Sequence, residues 1–352
     1  MKKKIKISFI GCGFMSQIAH ICNFYRDKRV ELFDVADFDL KMAQGVKKKF
    51  GFKGIATNNA DKVIRNKPDG IVIIVQRPLM TNLIKKSFKN KLNVMSEKPP
   101  AYSSKEYLNC ERISKDRVWI KGYNRRCDPI VRNFKKKLSE YSKKFGKLIN
   151  VNYEILLGNS YLGAKHKVKP SLKKKKWNGI KNKFPNWLKD KNRDLYEYHL
   201  NSGCHYFDMF DFLNIRPKKN FNSTINEKIF HSSFEAKFKK DLIKVNLSII
   251  NSIVAGWEES LVFMFEKGNC RINFGAPLNK KESHKLIINE GINGRKKILV
   301  KKNCHSFLEQ SKMFVSLISN AKTRKECSDF KDGKNSLIYY ENVWKKYLKQ
   351  VN

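Results

Sequence analysis

The chain reads as an α/β protein: an N-terminal doubly wound parallel sheet, then a C-terminal α/β domain with a large open, mainly antiparallel sheet. Three observations predict this. Apolar, β-branched runs alternate with helical patterns up to about residue 120, as right-handed βαβ crossovers require. Beyond that point strand-like segments follow one another closely, with turn-forming residues between them. The length, 352 residues of which 41% are hydrophobic, suits two cores at roughly 100 to 200 residues per domain. The expected division is 1–122 and 123–352, with the C-terminal helix packing back on the first domain.

In chain order, Lys4 to Ile10 is a buried strand, followed by glycines and a helical pattern through Met15, Ile18, Ala19, Cys22 and Phe24. Glu31 to Asp37 is a second strand, ended by acidic residues, and Leu40 to Phe50 a helix closed by Gly51. Gly70 to Val75 is a continuous apolar run of the kind buried on both faces of a parallel sheet. Leu83 to Phe88 gives another helix and Asn93 to Ser96 another short strand. The second domain takes its strands from Leu148 to Leu157, Ile229 to Phe238, Leu242 to Ile250, Ser260 to Phe265, Lys285 to Asn289 and Lys297 to Val300. Gly158 to Tyr198 is a long polar connection in which Pro170 and Pro185 break any helix. Ser306 to Ser319 and Ser336 to Lys349 are helical in pattern.

The formal net charge of +42 invites a reading as a nucleic-acid or membrane-surface binder. Its make-up argues otherwise. Of the 74 basic residues 60 are Lys and 14 Arg, so the side chain that forks onto phosphates and guanine edges is the scarce one. A solvated, Lys-rich surface is the expectation, with no nucleic-acid or membrane partner. Eight Cys without a C-x-x-C pair read as reduced, mostly buried thiols, and no His, Cys, Asp or Glu cluster has metal-ligand spacing. Met1 to Cys12 resembles a lipoprotein signal superficially. Its apolar run, Ile5 to Ile10, is interrupted by Lys6 and is shorter than the ~7 to 15 residues of a signal core. A cytoplasmic protein is expected.

Gly11-Cys12-Gly13-Phe14-Met15-Ser16 follows a strand and opens a helix, the context in which such glycines bind a dinucleotide. They permit a tight turn and let the helix N-terminus approach a pyrophosphate. Asp37, about 20 residues on at a strand end, is placed to accept hydrogen bonds from an adenosine ribose and to repel a 2′-phosphate. NAD is therefore the expected cofactor, in preference to NADP.

Glu97-Lys98-Pro99 after the strand Asn93 to Ser96 resembles the signature of the glucose-fructose oxidoreductase/inositol dehydrogenase/MocA family. Three further stretches are similar in order and spacing: Val75-Gln76-Arg77-Pro78, Gly122-Tyr123-Asn124-Arg125-Arg126, and Asn201-Ser202-Gly203-Cys204-His205-Tyr206-Phe207-Asp208. The resemblance implies a Rossmann domain binding a nicotinamide cofactor and a second domain supplying a sugar pocket and an oligomer interface. It implies that Lys98 is the active-site lysine, that His205 is the general acid or base on the reacting hydroxyl, and that the peptide before Pro99 is often cis. By the same resemblance Gln76, Arg77 and Glu97 belong to the nicotinamide end, and Tyr123, Arg126 and Trp187 to the substrate side. Asp208 is expected to orient its helix. Asn201 stands where many members have Asp, Thr81 where many have His, and Gln76 where Thr is common. A carboxylate at 201 would tune the histidine, whereas an amide fixes its tautomer or binds hydroxyls. The expected function is hydride transfer between nicotinamide and a sugar, nucleotide-sugar or inositol carbon by a homo-oligomer. The alternatives are a non-catalytic nicotinamide-binding sensor or scaffold, and a basic nucleic-acid-binding protein on the same fold.

Overall fold

The apolar runs of the first third form six parallel strands because each is followed by a helix that returns the chain to the same starting edge. The computed structural model describes residues 3–158, 165, 167–171, 183–251, 256–279, 283–291, 294–301, 305–320 and 333–351. Its contacts divide the chain into two units. The first comprises Met1–Asn124, Ala164–Leu188 and Phe307–Lys334, the second Arg125–Gly163, Lys189–Ser306 and Asn335–Asn352. Two later segments thus return to a first unit expected to end at residue 122.

In the first unit β1 (Ile5–Ile10), β2 (Val30–Ala36), β3 (Ala56–Thr57), β4 (Gly70–Ile73), β5 (Asn93–Ser96) and β6 (Trp119–Lys121) stand in the order β3-β2-β1-β4-β5-β6, every pair parallel. This is the doubly wound order, with its switch point between β1 and β4. All four residues of β4 are buried, as a central strand covered on both faces must be. A π-helical stretch, Ser16–Ile21, runs into α1 (Cys22–Tyr25), and α2 (Leu40–Phe50), α3 (Ala60–Arg65), α4 (Arg77–Lys89) and α5 (Ser104–Ser114) follow. The ends of α2 carry the expected chemistry. The Asp39 carboxylate accepts the Met42 N–H at 3.1 Å, and Gly51 closes the helix at φ 68°. Ser103 caps α5 by accepting the Glu106 N–H at 3.2 Å.

The second unit is built on β7 (Leu148–Leu157), β8 (Arg216–Ile225), β9 (Ile229–Phe238), β10 (Asp241–Asn251), β11 (Glu258–Phe265), β12 (Gly268–Phe274), β13 (His284–Glu290) and β14 (Arg295–Lys301). Their order is β14-β13-β12-β11-β7-β10-β9-β8, antiparallel except where β7 meets β10. Burial alternates along the strands. Tyr153, Val245, Leu247, Leu261 and Phe263 face the core, while Leu242, Ile250, Met264, Ile298 and Val300 stay exposed on the opposite, open face. The edge strands β8 and β14 carry Lys218, Lys219, Lys296 and Lys297, charges that discourage pairing with another chain.

The core face is covered by α6 (Pro129–Phe145), α7 (Arg193–Phe212) and α9 (Lys334–Val351), while α8 (Ser306–Ser319) belongs to the first unit from Phe307 onward. The helix that returns to the first unit is therefore α8 and not the last one: Phe314 lies 6.3 Å from the Phe24 ring, and Gln310 donates to the Lys121 carbonyl at 3.1 Å. The last helix stays in the second unit, its Tyr340 stacked on Phe230 at 5.9 Å. α7 begins well inside the stretch read as a connection. Lys173 to Lys176, Trp177, Cys304 and Cys327 lie outside the described residues. Among the described residues no helix is long and apolar enough to cross a membrane, and no three His, Cys, Asp or Glu side chains are grouped to hold a metal ion.

Candidate functional site

A parallel sheet delivers the loop after every strand to one edge, and here that edge carries the glycine loop, Asp37, Gln76 and the Glu97-Lys98 turn. After β1, Gly11 donates its N–H to the Ala36 carbonyl at 2.8 Å. At φ 96°, a Cβ on Gly11 would stand 2.0 Å from the Ile74 carbonyl oxygen, so only glycine fits. A Cβ at Gly13 would meet nothing within 4 Å, because that position faces an open cleft. The cleft holds about 910 Å³ and is lined by Gly11, Gly13, Phe14, Asp37 and Gln76. Met15 and Arg77 stand outside that lining, Met15 at the N-cap of the π-helical stretch and Arg77 at the start of α4.

Asp37 follows β2 and is 9% exposed. Its carboxylate accepts the Cys12 N–H at 2.6 Å and the Asp39 N–H at 3.0 Å. Burial pushes the Asp37 carboxyl up from the ordinary range, against the pull of these two N–H donors, and the nearby Asp39 charge adds to the rise. Burial, with Asp37 and Asp39 beside it, likewise raises the Cys12 thiol, so Cys12 is an inert packing residue. The open space at Gly13, the helix start beyond it and the strand-end carboxylate fit a dinucleotide. The wall formed by α4 adds Lys85, Lys86 and Lys89, of which Lys86 is paired with Asp61 at 2.9 Å.

A strap crosses this region that nothing in the sequence announced. The Gln17 amide donates to the Cys12 carbonyl at 2.8 Å and to the Val168 carbonyl at 2.9 Å, and its oxygen accepts the Lys167 and Val168 N–H groups. Asp39 accepts both the N–H and the hydroxyl of Ser171. Residues 167–171 are thereby tied to the glycine loop and to the start of α2, and Pro170 becomes part of the cleft wall.

At the end of β5 the Glu97 N–H donates to the Ile73 carbonyl at 3.1 Å, and the Lys98–Pro99 peptide is cis, as the resemblance implied. Glu97 Oε2 accepts the Lys98 N–H at 3.1 Å, and Oε1 is 2.6 Å from His20 Nε2. Burial opposes ionisation of Glu97, but the hydrogen bond and charge of His20, with Lys98 beside it, hold the carboxyl below its usual range. A Cβ at Gly122 would stand 2.9 Å from the Lys98 nitrogen and 3.0 Å from Glu97 Oε2, so this glycine lets β6 close on the turn. Nearby, the Arg77 guanidinium lies 4.7 Å over the Tyr102 ring, which packs on Phe184 at 4.6 Å. His20 is the member of this group that sequence reasoning missed. Thr81 is buried and donates to Glu106 at 2.7 Å.

In the second unit Asn201 and His205 lie one turn apart on α7, Asn201 exposed and His205 half-buried. Arg126, expected to meet substrate, is instead 3% exposed, with its guanidinium taken up by Asp208 at 2.6 Å and Asp211 at 3.1 Å. It anchors the helix that carries His205. Tyr123 is buried and Trp187 half-buried within the first unit. Beside Arg126, Arg125 is buried against Glu259, which also accepts the Tyr153 hydroxyl at 2.7 Å and the Trp257 N–H at 3.2 Å.

Residues 5–117 match the model of an oxidoreductase family with an NAD-binding Rossmann fold. No curated protein matches the sequence at a significant level. Among solved structures the chain is similar to the 3-ketoreductase KijD10 of Actinomadura kijaniata, solved with NADP and TDP-benzene (11% identity, 97% of this chain and 98% of that one, TM-score 0.69). It is also similar to the dehydrogenase MviM of Clostridium difficile (15%, 99% and 100%, TM-score 0.68). A third is the UDP-N-acetylglucosamine 3-dehydrogenase GnnA of Acidithiobacillus ferrooxidans (13%, 97% and 96%, TM-score 0.69). Residues 5–117 therefore match the NAD-binding Rossmann fold of the Gfo/Idh/MocA oxidoreductase family, and the chain as a whole shares its fold with these three structures.

Proposed function

We propose that this protein is a nicotinamide-dependent oxidoreductase, preferring NAD, that moves a hydride between the cofactor and a carbinol or keto carbon of a sugar, nucleotide sugar or inositol. The observation that carries the reading is the joint delivery of the glycine loop, Asp37 and the Glu97-Lys98 turn to the carboxyl edge of one parallel sheet. The nicotinamide supplies or accepts the hydride. Gly11, Gly13, Phe14 and Met15 hold the pyrophosphate, and Asp37 holds the adenosine ribose. Gln76, Arg77 and Glu97 serve the nicotinamide end. The Lys98 ammonium stabilises the negative charge that the oxygen carries as the carbinol loses its hydroxyl proton, or as a keto carbon gains hydride, and His205 takes or returns that proton. Asn201, one turn away, binds a hydroxyl or fixes the imidazole tautomer. Tyr123 and Trp187 shape the sugar side.

Two structural neighbours support the substrate class, one solved with a TDP compound and one named for a UDP-sugar. The Lys98→Ala variant is expected to lose ~100-fold or more in turnover while keeping its NADH affinity within about three-fold. Stopped-flow turnover on a panel of UDP-sugars, free hexoses and inositols, alongside NADH titration, checks both halves. Normal turnover by the variant would remove Lys98 from the chemistry. Asn201 in place of a carboxylate favours one other reading, a nicotinamide-binding sensor, which predicts tight NADH binding without turnover on any of the panel. For assembly, the exposed apolar residues Leu242, Ile250, Met264, Ile298 and Val300 on the open sheet face support a homo-oligomer, and light scattering decides between it and a monomer.

A further inference from the structure

The lysine turn is held from both sides, and one of the holding residues belongs to none of the roles above. His20 lies on the π-helical stretch after the dinucleotide loop, is 1% exposed, and packs edge-on against Phe307 at 5.5 Å. A π turn carries one residue more than an α turn, and such local expansions recur at functional sites because they re-aim a side chain. Here His20 Nε2 meets Glu97 Oε1 at 2.6 Å, while Glu97 Oε2 accepts the Lys98 N–H at 3.1 Å. On the other side Gly122 leaves no room for the turn to back away. Nδ1 of His20 is buried with no hydrogen-bond partner among the described residues. The ring therefore has its one strong polar contact through Nε2, and the proton on that nitrogen fits it as donor to the carboxylate.

We propose that His20 is a positioning residue for the active-site lysine: by donating Nε2–H to Glu97 it keeps that side chain as a carboxylate, in the one orientation whose second oxygen fixes the Lys98 backbone. The inference rests on the reading of Lys98 given above. Its chemistry is that of a buried acid with two partners. The titratable or charged groups that act on Glu97 are His20, from the first helix, and Lys98, next in the chain. Remove His20 and burial is left opposed by Lys98 alone, so the carboxyl rises and takes a proton on its way toward neutral pH. A neutral Glu97 keeps one oxygen as a full acceptor while the other donates, and with nothing fixing which oxygen is which, the single orientation that braces the lysine turn is lost.

The test is a pH titration of Glu97 in NADH-saturated protein carrying ¹³C-labelled glutamate carboxyls, with the signal assigned by its loss in Glu97→Gln. The wild-type signal is expected to titrate below the usual carboxylate range. In His20→Leu it is expected to move up by at least one pH unit. His20→Gln, whose amide nitrogen reaches the position of Nε2, is expected to restore most of the low value. Kinetics on the best UDP-sugar of the panel are expected to show the acid limb of kcat moving to higher pH in His20→Leu by the same interval, with KM for NADH within three-fold. An unmoved Glu97 signal in His20→Leu would overturn the proposal. Equal shifts in the Leu and Gln variants would do the same, since they would show that ring shape and not donation matters. Should Lys98→Ala turn over normally, the reading of Lys98 falls while the titration still measures the brace.

Discussion

Asp37 shows how one carboxylate can hold two backbone N–H groups of its own unit and still face a cleft. Replacing it by Ala removes the acceptor for a ribose and the charge that disfavours a 2′-phosphate. NADH affinity is expected to fall about ten-fold, roughly 1.4 kcal/mol, and the ratio of NADH to NADPH affinity to shrink by at least as much. Nicotinamide fluorescence titrations with both cofactors measure the two changes, and an unchanged ratio would free Asp37 from that role. The strand-end positions of Gly11 and Asp37 were legible in the sequence because each directly follows an apolar run, whereas Lys98 was singled out by the resemblance of Glu97-Lys98-Pro99 alone. His20 was not, since its partner lies 77 positions away and no local pattern joins an imidazole to a carboxylate at that range. Arg126 was misjudged for the same reason: the carboxylates that bury it are Asp208 and Asp211, on an element whose place no local pattern gives.

At the scale of elements, the alternating strands of the first unit were readable, whereas α6 was missed despite a full set of signals. Asp128 accepts the Ile130 N–H at 2.9 Å, Pro129 occupies the first turn, and Ile130, Val131, Phe134, Leu138, Tyr141 and Phe145 are buried. Its outer face is rich in lysine, and the sequence alone assigned the stretch no element. β8 hid for a related reason. Its Arg-Pro-Lys-Lys-Asn start has little β preference, and pairing with β9 supplies what the side chains do not. The Phe134 ring packs 4.7 Å from Phe263, so Phe134→Ala is expected to cost about 3 to 5 kcal/mol, seen as a lower urea midpoint with NADH binding retained. The strap at 167–171 belongs to this scale too. Val168 presses on α2 at Gly45, where a Cβ would stand 2.8 Å from it. Gln17→Ala removes the side chain that ties the strap to the glycine loop, and is expected to speed NADH release several-fold in a displacement experiment. An unaltered release rate would mean that the strap does not cover the departing cofactor.

For the whole molecule, acid should act in two windows. Burial holds the His199 imidazole below its ordinary value, although its contact with the Asn226 carbonyl works the other way. The unfolded chain therefore takes that proton first, and stability present above about pH 6.5 declines as pH falls through the lower folded value. Asp128 and Glu97 are depressed carboxylates: burial raises each, but His284 with Arg125 outweighs it for Asp128, and His20 with Lys98 for Glu97. Their contribution is full above about pH 4 and is lost as pH drops through their folded values. Urea midpoints measured from pH 8 to pH 2 are expected to show both declines, the upper one absent from His199→Gln. The chain's visits to its first unit also set an order of events during synthesis. α8 supplies Phe307 against His20 and Phe314 against Phe24, and Phe314 closes over Gly70, yet α8 is translated long after the nucleotide domain's last strand. At ~5 to 20 residues per second, the nascent nucleotide domain waits many seconds with an apolar flank uncovered. A fragment ending at residue 124 should therefore bind chaperones and aggregate, and adding α8 as a separate peptide should restore its solubility.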